Sequence, residues 1–172
     1  FDGWNVPGWY CADLWPGCGP WACQALWNIY LYTKDKDFLR DRAYPMMKDY
    51  MGQYVGMLEK WDDGKFHIPW SPSPEWQNNE AFAWGQDDSG NLALIRWLGS
   101  ALLAAENILG IESTESAKWI EILDNLAPFH QDQTGLLIMK GKPLDQTHRH
   151  HTHLLALYPL GIIHIEGSDE DK

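Results

Sequence analysis

Apolar residues along this chain recur at three- and four-residue steps over long stretches, the period of helices with one buried face. The clearest case is Met46, Met47, Tyr50, Met51, Tyr54, Val55 and Leu58, on one side of a helix that Pro45 starts at its first turn. A methionine-rich face of this kind is read as core packing, because the thioether fills irregular gaps. An earlier helix follows from Pro20, with Ala22, Leu26, Ile29 and Tyr30 in phase to about Tyr32. After a short connection, Asp35 has the side chain to cap a brief helix through Arg42. A third long helix is predicted from about Asn91 to Leu109, capped by Asp88 or Ser89 and ended by Gly110. Leu92, Ile95, Leu98, Leu102, Ala105 and Ile108 are its inward residues. A fourth, over about 115–126, groups Trp119, Ile122, Leu123 and Leu126 and stops before Pro128. Residues 152–158 are expected to be helical again, ending at Pro159.

Between these stretches the helical period is lost. Asp62, Asp63 and Gly64 make a turn, and Phe66 to Ile68 and Gly135 to Met139 read as short strands. Gly17, Gly19 and Pro20 are expected to keep helix out of the first twenty residues. Helices joined by short turns lie antiparallel. The predicted fold class is therefore all-α, a stack of αα-hairpins with short β segments in its loops. The other connections are long and rich in Trp and Pro, and loops on a rigid scaffold are where function concentrates.

A length of 172 residues suits one domain with a substantial core, and 45% hydrophobic with 13% aromatic residues makes it globular. The formal charge of −11 argues against nucleic acid or a polybasic membrane contact as partner. No uninterrupted apolar run approaches the ~20 residues that span a bilayer. Asp2 and Asn5 near the start, with no basic flank, do not read as a signal peptide. Both ends read as cut from a longer chain. Cys11, Cys18 and Cys23 are odd in number and match no zinc spacing, so free thiols or one bridge are expected. No cofactor is expected.

The candidate chemistry sits in three places. At 70–76, Pro72 and Pro74 fix φ and remove two N–H donors, which holds the chain extended and presents Glu75 between Trp70 and Trp76. A carboxyl against indole surface is poorly solvated, which favours its neutral form and suits it to donate a proton. The plain alternative is a stiff surface loop with a solvated glutamate. Trp4, Trp9, Trp15 and Trp21 form a second group, fit either to stack on sugar faces or to plug the end of a helical domain, with Asp13 beside them. Third, His148, His150, His151 and His153 crowd around Arg149. In an extended chain His148 and His150 share one face, with His151 and His153 on the other. Such a ring of imidazoles plus one guanidinium suits hydroxyl recognition. A metal site or a phosphate site at Arg149 would draw on the same groups.

Three stretches, in order, resemble the catalytic domain of the family 95 glycoside hydrolases, the α-L-fucosidase and L-galactosidase group. Residues 19–48, from Gly-Pro-Trp-Ala-Cys-Gln to Arg-Ala-Tyr-Pro-Met-Met-Lys, are similar to its helix pair. Ser-Pro-Ser-Pro-Glu at 71–75 is similar to its acid-bearing segment. His-Arg-His-His-Thr-His-Leu-Leu-Ala-Leu-Tyr-Pro at 148–159 is similar to its His/Arg segment. The resemblance implies an (α/α)6 barrel, a secreted or periplasmic setting and a carbohydrate substrate. It also implies an inverting mechanism, in which an acid protonates the glycosidic oxygen while an opposed base activates water across the ring. Glu75 falls on the family's general acid, and His148, Arg149, His150 and His153 fall on the segment lining the sugar pocket. Trp70 and Trp76 are expected to touch substrate. Trp76 and Ala156 depart from the family pattern, where Asn and Gly are usual, and both bear on pocket shape.

The motifs that carry the family's catalytic base and its assisting asparagines are not in this sequence, and six helix pairs need about twice this many helices. The chain therefore reads as the middle of a larger catalytic domain, with the remainder of that domain as its partner. Asp145 is the best second carboxylate within it, although the resemblance does not assign it as base. Two other readings use the same residues: a non-catalytic carbohydrate-binding helical domain, and a related helical-barrel glycosidase or phosphorylase.

Overall fold

The computed structural model describes residues 15–167. Trp4, Trp9, Asp13 and Cys11 lie outside the described residues. The described fold is all-α. Helix α1 (Cys18–Thr33) is followed by α2 (Lys36–Phe38), which runs through a π turn (Leu39–Ala43) directly into α3 (Tyr44–Met57). Two-residue strands β1 (Glu59–Lys60) and β2 (Phe66–His67) pair antiparallel around the Asp62–Gly64 turn. The long helix α4 (Ser89–Leu109), α5 (Ser116–Asn125) and a second small hairpin, β3 (Gln131–Asp132) with β4 (Gly135–Leu136), complete the order.

The sequence explains most boundaries. Asp35 caps α2, accepting from the backbone N–H groups of Asp37 and Phe38 at 3.0 and 2.9 Å. Asp88 caps α4 by accepting from Asn91 N–H at 2.9 Å, and Gly110 ends that helix in the left-handed conformation. Helix α1 begins at Cys18, earlier than the glycines and Pro20 led one to expect. Pro20 stands in the first turn, where it loses no hydrogen bond. Gly19 is needed for packing, because a Cβ there would fall 2.1 Å from the Tyr50 ring on α3.

α4 is the centre. Leu92, Leu94, Ile95, Leu98 and Leu102 are fully buried, against Met47, Met51 and Tyr54 of α3, with Trp119 and Ile122 of α5 in the same core. Each such side chain contributes about 1.5–3 kcal/mol relative to exposure. By length and composition α4 could cross a bilayer, yet here it is the core helix and more than half of it is buried. A second small cluster, Trp76, Ala83, Ile138 and Met139, lies under the Glu75 loop.

Two further expectations change. Residues 152–158 form a 3-10 turn (Thr152–Leu154) and further turns, in place of a helix. Leu155 N–H bonds to Thr152 and Leu157 N–H to Leu154, each three residues back, and so short a segment cannot nucleate α-helix. The strand expected at 135–139 is only Gly135–Leu136, because Leu137 and Ile138 carbonyls turn to the α4 N-terminus, to Ser89 Oγ and Ser89 N–H. The described helices form no closed ring.

Candidate active site

The loops between helices converge on the N-terminus of α4. Asp87 Oδ1 accepts from Ile68 N–H at 3.1 Å, while its Oδ2 meets His67 Nδ1 at 2.8 Å and His130 Nε2 at 3.0 Å. Asp88 Oδ1 accepts from Trp15 Nε1 at 3.2 Å. Asn91 links α3 to the Glu75 loop, accepting from Tyr54 OH at 3.0 Å and donating to Ser71 Oγ at 3.0 Å. Both aspartates are fully buried, and their acidities move in opposite directions. Burial pushes Asp87 upward, but the His130 and His67 contacts outweigh it and leave the carboxyl below its ordinary value. Burial of Asp88 outweighs the Asn91 and Trp15 N–H groups and raises it to about 7.

The Glu75 loop leaves this hub through a bridge, Ser71 N–H to Gly85 O at 2.9 Å and Gly85 N–H to Ser71 O at 3.0 Å. The chain does not stay extended through Pro74. Trp76 N–H closes on Ser73 O at 3.1 Å, a turn with Pro74 second and Glu75 third. Glu75 takes φ 57°, the left-handed conformation that usually calls for Gly or Asn at this place. Gln77, Asn78 and Asn79 follow with φ of 51°, 52° and 56°. A non-glycine residue in this region costs on the order of 1 kcal/mol, and short amide side chains reduce the cost by bonding locally. Asn79 does so, its Oδ1 accepting from Glu75 N–H at 2.9 Å.

The histidine segment lies against this loop. His148 Nε2 is 3.0 Å from Pro74 O. Glu75 Oε2 is 2.9 Å from His150 Nε2 and pairs with the Arg149 guanidinium. The rings pair as alternation predicts, His148 with His150 at 5.5 Å and His151 with His153 at 6.2 Å. An open cleft of about 490 Å³ is lined by Glu75, Asn78, Asn79, Gln146, Thr147, His148 and Arg149. Every residue of its lining carries a polar side chain, so it offers both donors and acceptors. Among the described residues, no three His, Cys, Asp or Glu side chains gather as ligands for a metal.

The structure thus brings Glu75, His148, Arg149 and His150 together. His153 is buried behind them, and burial, together with His151 and His148, holds its imidazole below the ordinary value. Trp70 is 57% exposed, and Trp76 is buried with its indole N–H donated to Asp145 at 3.2 Å. Polar partners, rather than the two indoles, contact the Glu75 carboxylate. Asp145 also accepts from Gln77 Nε2 at 3.0 Å, so it ties down the residues that follow Glu75. Trp15 is buried in the core and Trp21 is 41% exposed. Asn78, Asn79, Gln146 and Thr147 were not singled out in the sequence. The adjacent asparagines are a signal for a left-handed turn, whereas nothing local marks Gln146 or Thr147.

The model of the Glycosyl hydrolase family 95 catalytic domain matches residues 2–171. The chain belongs to this family. As a family 95 domain it is also 28% identical, over 165 residues, to Alpha-L-fucosidase 2 of Arabidopsis thaliana. That match covers 91% of this chain and 20% of the plant protein, so the chain spans about one fifth of its relative's length. The matched range includes both the Glu75 loop and the histidine segment.

Proposed function

We propose that this chain is the acid-bearing part of a larger family 95 catalytic domain, which releases terminal α-L-fucose or a closely related sugar with inversion. The observation that carries the reading is the Glu75 carboxyl at the wall of a polar cleft, gripped by His150 and Arg149. Glu75 Oε donates the proton to the glycosidic oxygen as the bond to the anomeric carbon breaks. His150 fixes the rotation of the carboxyl, and Arg149 yields to the incoming sugar. His148, Asn78, Asn79 and Thr147 offer donors and acceptors to its hydroxyls. The base that activates water lies outside this chain, across the sugar ring, and the remaining helix pairs close the (α/α)6 toroid. In an inverting enzyme that separation is about 6.5–9.5 Å.

The test is the anomer released first. In the full-length protein, proton NMR of early hydrolysis is expected to show β-L-fucose from an α-L-fucoside before mutarotation. The α anomer as first product would remove the inverting assignment. No release of sugar from any α-L-fucoside or α-L-galactoside would remove the substrate class.

A further inference from the structure

We propose that the buried hydroxyl pair Ser73–Thr152 is a positioning device that sets how Glu75 delivers its proton. The inference rests on the reading of Glu75 as the acid. Ser73 precedes Glu75 by two residues and Thr152 follows His150 by two, so the pair joins the same two segments as the contact between carboxyl and imidazole. Ser73 Oγ and Thr152 Oγ1 are 2.6 Å apart, at the short end for neutral hydroxyls, across 79 residues of chain. Both side chains are buried, at 2% and 5% exposure, and neither lines the cleft.

The pair is itself seated without slack. A Cβ built on Gly90 of α4 would lie 3.2 Å from Thr152 Cβ, 3.2 Å from the Trp15 ring and 3.3 Å from Asp88 Oδ1. Thr152 therefore rests on the helix backbone itself, and Ser73 meets it there through its hydroxyl, which also contacts Asp88. His148 to Pro74 O ties the same two loops on the cleft side. The contact of Glu75 with His150 is thus bracketed by a buried tie and a half-buried one. Because Glu75 already holds a left-handed backbone, loss of the buried tie lets the turn relax and moves the carboxyl. A displacement of about 1 Å at a reacting group costs about 10²-fold in rate.

The experiment uses the full-length protein with two substrates, phenyl α-L-fucoside, which needs its leaving oxygen protonated, and 2,4-dinitrophenyl α-L-fucoside, which does not. Thr152→Val is expected to lower kcat on the phenyl glycoside about 10²-fold. KM and the dinitrophenyl rate should stay within about twofold. Thr152→Ser, which keeps the hydroxyl, should restore the rate. The double variant Ser73→Ala/Thr152→Val removes both hydroxyls of the pair, and with them the Ser73 contact to Asp88; with its fold checked by circular dichroism it should show the same selective loss. Equal loss on both substrates, loss carried by KM, or Thr152→Ser as impaired as Thr152→Val would overturn the inference. Glu75→Gln run in parallel separates the two levels. Selective collapse there without it in the hydroxyl variants refutes the positioning role alone. No selective collapse in Glu75→Gln refutes the acid and the inference with it.

Discussion

Replacing Asp88 by Asn should favour the folded protein more at pH 8 than at pH 4. Asp88 is fully buried at the N-cap of α4, and its carboxyl is raised from 3.8 to about 7 by desolvation. Between those two values the folded state keeps a proton that the unfolded chain releases, so stability falls as pH rises. The contribution is complete below the unfolded value and is lost as pH passes through the folded one. Each unit is about 1.4 kcal/mol, so the span from 3.8 to about 7 amounts to on the order of 4 kcal/mol. Asn has no titration, keeps an oxygen to accept from Asn91 N–H and Trp15 Nε1, and caps as well as Asp. The assay is chemical denaturation of both proteins at several pH values between 4 and 8. Taking the difference cancels every other titrating group. The variant's advantage should grow with pH by a few kcal/mol and level off above pH 7. A difference independent of pH would show that the Asp88 carboxyl is not held neutral by burial.

The neighbouring carboxylate should behave with the opposite sign. Asp87 is lowered below 3.8 by His130 and His67, so its stabilisation is present above that value and lost as pH falls. Asp87→Asn should cost about 1–3 kcal/mol at pH 7 and flatten the acid limb of the denaturation profile, because an amide NH2 replaces the buried oxygen that two histidines share. Cys23 is fully buried with its thiol pushed up to about 11, so alkylation at pH 8 should proceed only at the rate of unfolding. Alkylation at the rate of a small thiol in native protein would contradict that burial.

What the sequence made legible is local. The methionine face of α3, the Asp35 and Asp88 caps and the Gly110 stop each depend on residues within a few positions of one another, and all stand in the structure. The convergence of Glu75 with His148, Arg149 and His150 came from the family resemblance, since no periodicity links positions so far apart in the chain. What stayed hidden is non-local or conformational. The indole pair was expected to shield Glu75, but Trp76 turns its N–H to Asp145, a partner 69 residues away. The extended proline stretch was expected to run on through Glu75. Proline at the second position of a turn serves equally well, and the choice is made by Asn79 and Ser73. The hub of Asp87, Asp88 and Asn91 shows in sequence only as a cap, because its partners come from four separate stretches, at Trp15, Tyr54, His67 to Ser71 and His130.

The most direct measurement follows kcat/KM of the full-length protein and of Glu75→Gln across aryl α-L-fucosides of decreasing leaving-group acidity. Proton donation by Glu75 predicts a nearly flat line for the wild type and a steep fall for the variant, with affinity for free fucose retained. Parallel lines for the two proteins would contradict it.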